Sequence, residues 1–297
     1  MPPSYGTKDY WDARFQHEDN YEWLLPADSL NSVVREALSS RHRNQGADGG
    51  GGAPKILHIG CGSSDLSFRL RELVASPRQV TNVDYAEVAV QKCRRREAAA
   101  LEGSGGGGDL GMRWETADLL DAESIARLGR RCQSPSADGE DGNGPFYFDV
   151  VADKSTCDAI SIAEDVPVPL PFASPRNMSL QQTDNGDEDG AGAAKPKTTE
   201  LVEPLLLLAV HMAVLTPPRT GRWCAISYSH DRFSFLDGRA GDEEGFPDPR
   251  RFWRVVRRER VTVAPPAATG SGGHVVHRPE IAYWLWVLGR TGEMVEG

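Results

Sequence analysis

No two cysteines in this sequence are spaced as C-x-x-C. The five, at positions 61, 93, 132, 157 and 224, are scattered and odd in number. This argues against a zinc site and against a disulfide framework, and a reducing, cytoplasmic setting is the simplest expectation. Long apolar runs are also missing. The longest lies near Leu205–Leu215 and contains His211, which is short of the roughly 20 residues a membrane span needs. The opening residues carry no apolar signal region, so no membrane partner is expected. Positive charge is in deficit: 33 Lys and Arg face 43 Asp and Glu, a net charge of −10. Phosphate backbones want a basic surface, so nucleic acid is not an expected partner, whereas a basic protein substrate is compatible. The tripeptide Gly-Lys-Ser/Thr that makes a P-loop is absent.

What is present is a strand, a glycine turn and a helix start, Lys55-Ile56-Leu57-His58-Ile59-Gly60-Cys61-Gly62-Ser63-Ser64-Asp65-Leu66-Ser67. Gly60 and Gly62 let the backbone lie close against a ligand, because no Cβ intervenes. Asp65 stands where a dinucleotide fingerprint has its third glycine, so neither a pyrophosphate nor a triphosphate is well served. A second apolar run ends in Asn82-Val83-Asp84-Tyr85. An acid about 20 residues beyond the turn, at the tip of the neighbouring strand, can accept both ribose hydroxyls. The ligand expected from this pair is a nucleoside without a phosphate cradle, and S-adenosyl-L-methionine, with its sulfonium and amino acid tail, fits.

At 297 residues the chain can bury one full core, and one domain with long loops is expected. Residues 5–38 read as helical, with aromatics at 10, 11, 15, 21 and 23. Strands are expected at 55–60, 79–84, 112–117, 147–152 and 221–228, with helices at 65–74, from Glu87, at 121–131 and at about 200–215. Two β-like segments at about 251–263 and 274–289, joined by a Gly/Pro/Ala-rich connection, suggest an antiparallel hairpin. Polar, glycine-rich inserts fall at 46–52, 102–111, 133–145 and, longest, 164–199, part of which is expected to be mobile. Alternating strands and helices followed by a hairpin imply an α/β, mainly parallel sheet with an antiparallel edge.

Several ordered motifs then carry a resemblance. Tyr5-Gly6-Thr7-Lys8-Asp9-Tyr10-Trp11-Asp12-Ala13-Arg14-Phe15 resembles Y-x-x-x-x-Y-W-x-x-R-Y/F, and Tyr21-Glu22-Trp23 resembles Y-x-W. The glycine turn resembles G-C-G-N-S-x-L-S, and Asp84-Tyr85 with its flanks resembles V-D-Y-S-x-V-V-V. Arg113–Asp118 resembles R-W-E-x-M-D, and Phe148–Ala159 resembles F-D-V-V-x-D/E-K-G-T-L-D-A. These are motifs of class I S-adenosylmethionine-dependent methyltransferases, in particular the eukaryotic protein-lysine methyltransferases that include enzymes acting on translation elongation factor 1-alpha. The matches cover about residues 5–160. Ser63, Ala117, Ser155 and Cys157 stand where the pattern has Asn, Met, Gly and Leu.

The resemblance implies a Rossmann-like, seven-stranded sheet, an S-adenosyl-L-methionine cofactor and a protein substrate, elongation factor 1-alpha. Gly60 and Gly62 would approach the cofactor's amino acid part. Asp84 would hold the ribose, Tyr85 would flank the adenine, and Asp118 with the Ala117 backbone would meet its amino group. Trp11, Phe15 and Trp23 would cover the cofactor as a lid. Lys154 would contact the cofactor beside the methyl-bearing centre, and Asp153 and Asp158 would line the acceptor side as candidate catalytic groups with Lys154. A surface ion pair between Lys154 and Asp158, and a helix N-cap at Asp118, are the plainer readings. Methyl transfer to a small molecule, or cofactor binding without catalysis, are the competing functions.

Overall fold

The structure, a computed structural model, describes residues 3–44, 53–102, 111–131, 147–175, 198–238, 245–263 and 280–296. Helices α1 (Lys8–His17) and α2 (Asn31–Asn44) precede strand β1 (Ile56–Ile59). There follow α3 (Leu66–Arg71), β2 (Val80–Asp84), α4 (Glu87–Glu102), β3 (Arg113–Thr116), α5 (Ala122–Arg131), β4 (Val150–Lys154) and α6 (Thr156–Ile160). The second half contains β5 (Val166–Leu170), β6 (Thr198–Val202), α7 (Pro204–Leu215), β7 (Arg222–Ser227), β8 (Trp253–Val263) and β9 (Ile281–Arg290).

Seven strands form one sheet in the order β3-β2-β1-β4-β7-β9-β8. β1, β2, β3, β4 and β7 pair in parallel, and β9 runs antiparallel to both β7 and β8. β1, β2 and β4 are buried along their whole length, as strands covered by helices on both faces must be. One face packs on α5 and α7, whose leucines meet Leu57, Val151 and Trp223. The other packs on α2 and α3, where Val34 and Leu66 meet Ile56, Val80 and Cys224. No described helix is long and apolar enough to cross a membrane.

The expected α/β class, the mainly parallel sheet and the C-terminal hairpin are all present. Four details differ. The N-terminal segment is not one helix: residues 18–26 are irregular, with Leu24 at φ +61°, between α1 and a 3₁₀ turn at Ala27–Leu30, and their carboxylates reach the glycine turn. β4 begins at Val150 and runs through Asp153 and Lys154, whose polar ends find partners inside. The ends of the long insert form a two-stranded ribbon, β5 against β6. The following helix therefore starts at Pro204, where a missing N–H costs nothing. The body of that insert (176–197), its expected mobility, the 46–52 and 133–145 inserts, most of 102–111, and 264–279 of the hairpin lie outside the described residues.

Candidate active site

The chain reverses its direction of sheet growth between β1 and β4. β1-β2-β3 build outward on one side, and β4-β7 on the other. Ligands of open α/β sheets bind at such a switch point, beyond the carboxyl ends of the strands. A cavity of about 350 Å³ lies there, within the usual range for a cofactor site. Its walls come from the glycine turn, Asp84-Tyr85 after β2, Ala117–Leu120 after β3, Lys154–Ala163 after β4, and the N-terminal segment.

Gly60 and Gly62 adopt φ of +54° and +49°, the left-handed region that glycine tolerates. A Cβ on Gly60 would strike the Thr156 side chain, whose hydroxyl donates to the Ile59 carbonyl at 2.9 Å. The turn is therefore pressed onto the start of α6. Asp84 ends β2 with its carboxylate buried. Oδ2 accepts the Gly62 N–H and Oδ1 the Ala86 N–H, both at 2.9 Å. Each oxygen keeps a lone pair for one hydroxyl of a ribose. Burial pushes the Asp84 carboxyl up to about 6, against the pull of those two N–H groups. Tyr85 lies beside it. Asp118 is exposed and accepts the Leu120 N–H at 2.9 Å, while Asp121 caps α5, so the N-cap reading of Asp118 gives way.

Charge at the turn discriminates between ligands. Ser63 donates to Glu18 at 2.9 Å, and Ser64 and the Asp65 N–H reach Glu22 at 2.9 and 2.6 Å. Asn20 reaches Asp65 at 3.1 Å. Four acids, Glu18, Glu22, Asp65 and Asp84, ring the turn. Three are paired, Glu18 with Arg14, Glu22 with Lys154 and Asp65 with Arg96, which leaves the Asp84 carboxylate facing the cavity, a poor neighbour for a phosphate. The residues present fit S-adenosyl-L-methionine.

Trp11, Phe15 and Trp23 line the cavity from the N-terminal side. Trp11 stacks on Phe15 (5.5 Å) and meets Trp23 edge-on (5.8 Å), and its indole N–H donates to the Tyr5 carbonyl at 2.7 Å. Arg14 lies 4.6 Å from the Trp23 ring, with its charge answered by Glu18. Phe15 is the only described member of this layer that is fully buried; it joins Ala86 and Ala89 in a small cluster of its own. The layer is thus fastened to the body largely by polar contacts.

Lys154 and Asp158 do not pair with each other. The Lys154 side chain is only 3 % exposed. It pairs with Glu22 and donates to the Leu25 carbonyl at 3.2 Å, tying β4 to the N-terminal segment. Burial draws its ammonium below the usual lysine range, and Glu22 pulls it back. Asp158 lines the cavity, but its carboxylate is taken up by Ser155 and Ser227 hydroxyls, the Tyr228 N–H (3.1 Å) and Arg232 Nε (2.9 Å). It has no acceptor position left for a substrate proton and holds the loop after β7 instead. Asp153 is the clear departure from expectation. It is fully buried, accepts the Thr156 and Cys157 N–H groups at 2.9 and 3.3 Å and Trp223 Nε1 at 3.2 Å, and does not line the cavity. Its chemistry is that of a helix cap. Burial, with Asp158 nearby, pushes it up to about 7.

Two residues escape a reading of the sequence. Glu22 sits inside the Y-x-W motif, but its partners lie 42 to 132 positions away and leave no local signal. His58 interrupts an apolar strand; it bonds Ser67 at 2.9 Å, and burial, with Lys154 next, pulls it down to about 3.

Strand order, the glycine turn and a buried acid at the tip of β2 are those of the class I S-adenosylmethionine-dependent methyltransferase fold. In sequence the chain is a relative of proteins named as methyltransferases. It is 31 % identical over 163 residues to Methyltransferase srdJ of Neurospora crassa, covering 55 % of this chain and 57 % of that one. It is 30 % identical over 96 residues to the eEF1A lysine and N-terminal methyltransferase of Danio rerio, and 28 % over 96 residues to that of Homo sapiens. The latter two matches cover 32 % of this chain and 12 % of each relative, so the chain spans from about half to an eighth of the curated relatives it matches. Among solved structures, the N-methyltransferase NodS of Bradyrhizobium japonicum with S-adenosyl-l-homocysteine superposes with TM-score 0.44 at 14 % identity, covering 98 % of this chain and 100 % of that one. No protein-family model matches.

Proposed function

We propose that the chain transfers a methyl group from S-adenosyl-L-methionine to a lysine ε-amine of a protein, with translation elongation factor 1-alpha as the acceptor. The observation that carries the donor half is Asp84, a buried carboxylate in the cavity wall with one lone pair spare on each oxygen. In this reading Gly60 and Gly62 admit the amino acid part, Asp84 holds the ribose, and Tyr85, Ala117 and Asp118 receive the adenine. Trp11, Phe15 and Trp23 close over the donor, and Lys154 contacts it from β4.

The methyl is already activated on the cofactor's sulfur, so the protein must align the acceptor and exclude water. A lysine must shed its proton first, which at pH 7 costs about 4–5 kcal/mol. An aromatic, largely apolar cavity lowers that cost by desolvation, and a neutral amine needs no base thereafter. Asp158, with its acceptor positions filled, suits a reaction of this kind as a positioning residue. The relatives that act on eEF1A by name support the acceptor, over a third of the chain.

Calorimetry with S-adenosylhomocysteine tests the donor site. Asp84→Ala is expected to weaken binding by about 2–3 kcal/mol through loss of two charge-assisted hydrogen bonds. Unchanged affinity would remove the ribose from Asp84. Radiolabelled donor with a lysate tests the acceptor: one labelled band of elongation-factor size supports the proposal, while label confined to a small-molecule fraction replaces it with the alternative.

A further inference from the structure

Beyond Asp158 the cavity opens on Tyr228, which is 55 % exposed, and a chain of ring and guanidinium contacts leads away from it. Arg232 stands just outside the wall, bonded through Nε to buried Asp158, with its guanidinium 5.3 Å from the Tyr228 ring. Trp286 Nε1 donates to the Ser229 carbonyl at 3.4 Å, joining this loop to β9. His230 lies 6.2 Å from Trp284, and Arg258 of β8 lies 4.9 Å over both Trp284 and Trp286. Register explains the alignment, since Arg258 faces Trp286 and Arg260 faces Trp284 across the hairpin.

Arg258 differs from Arg257 and Arg260 on the same strand. Arg257 is answered by Glu259 and Glu36, and Arg260 by Glu280. Arg258 has no carboxylate partner among the described residues. Arg232 is different: its side chain is only 10 % exposed, and it is held by Asp158 and by the Tyr228 side chain, so it braces the rim from behind. An exposed guanidinium held over aromatic rings, as Arg258 is over Trp284 and Trp286, is preorganised for a carboxylate. In a chain of net charge −10 such cations are unlike the average surface. On the lysine reading the occupant is a polypeptide, and Arg258 favours one that carries carboxylates beside its lysine.

We infer that the rim formed by Tyr228, Trp284 and Arg258 is the acceptor-docking surface, and that it receives an acidic polypeptide segment next to the methylated lysine. The inference rests on the lysine reading above and deepens it. Arg258 selects the carboxylates. The apolar mouth then takes the lysine's aliphatic stem.

The test is a polarisation titration of the full chain, saturated with S-adenosylhomocysteine. Two labelled peptides are used, each with one central lysine, flanked by glutamates in one and glutamines in the other. The glutamate peptide is expected to bind at least tenfold tighter, more weakly in high salt, with the preference reduced to under threefold in Arg258→Gln. That exposed change is expected to leave cofactor affinity and melting temperature as they were. Equal binding of the two peptides, no binding of either, or tighter binding of an oligouridylate of equal charge would each overturn the docking surface while the cofactor still bound. Failure of S-adenosylhomocysteine to bind at all would instead sink the methyltransferase reading.

Discussion

Asp84 carries two demands that conflict. In the proposed role its carboxylate must be ionised to accept ribose hydroxyls, yet burial holds it at about 6 in the free protein. A carboxyl raised above its unfolded value takes up a proton on folding, so this group favours the folded state more as pH falls through the window between about 4 and 6. Donor binding runs the other way, because only the ionised form is a full acceptor. S-adenosylhomocysteine affinity is therefore expected to be flat above pH 7 and to fall below pH 6, approaching tenfold per unit. Asp84→Asn should abolish that slope as well as weaken binding. Calorimetry across pH 5 to 8 decides it, and a wild-type slope that survives in Asp84→Asn would assign the titration to another group. Asp153, near 7, has no place in this curve, because it caps α6 outside the cavity.

At the scale of elements, the N-terminal segment is held to the body by Glu18, Glu22 and Lys92 more than by apolar area. Lys92 alone reaches the Gln16 and Glu18 carbonyls and pairs with Asp19. Glu22→Gln leaves Lys154, 3 % exposed, without its countercharge. Breaking a buried pair from one side costs about 3–5 kcal/mol, toward the lower figure here because Glu22 itself is 28 % exposed. The cost is expected to fall on closure of the segment. Hydrogen exchange of residues 8–24 should accelerate by a hundredfold or more, with β1 and β4 amides unaffected and S-adenosylhomocysteine released faster. Uniform acceleration across the sheet would mean that Glu22 supports the fold as a whole. This latch also marks where the sequence stopped being legible. Buried parallel strands announce themselves as apolar runs bounded by turns, and Gly60 and Asp84 mark their tips, so β1, β2 and their share of the cavity wall are readable. The partners of Glu22 and Asp158 come from remote segments, and strands as short as β5 and β6, with prolines at 167 and 169 and a polar insert between them, have no periodicity to read. β4 was placed too early because Asp153 and Lys154 look like loop residues until their buried partners are known.

For the whole molecule, the donor cavity draws on the ends of four adjacent strands and on the N-terminal layer, so the bound state requires most of the fold at once. A ligand that binds only the folded chain adds stability by mass action, about 2.7 kcal/mol at a hundred times its dissociation constant. The two large apolar clusters that sandwich the sheet owe nothing to the ligand, so the free protein is expected to melt cooperatively, and the same transition should move up by several degrees with S-adenosylhomocysteine. In Asp84→Ala, where affinity falls by about 2–3 kcal/mol, the same ligand concentration sits near the new dissociation constant and should add under about 1 kcal/mol. Calorimetric scans of both proteins with and without ligand read this directly. A ligand that shifted both proteins equally, or that split the transition in two, would mean that the donor does not span the strand tips and that the site and the sheet unfold as separate units.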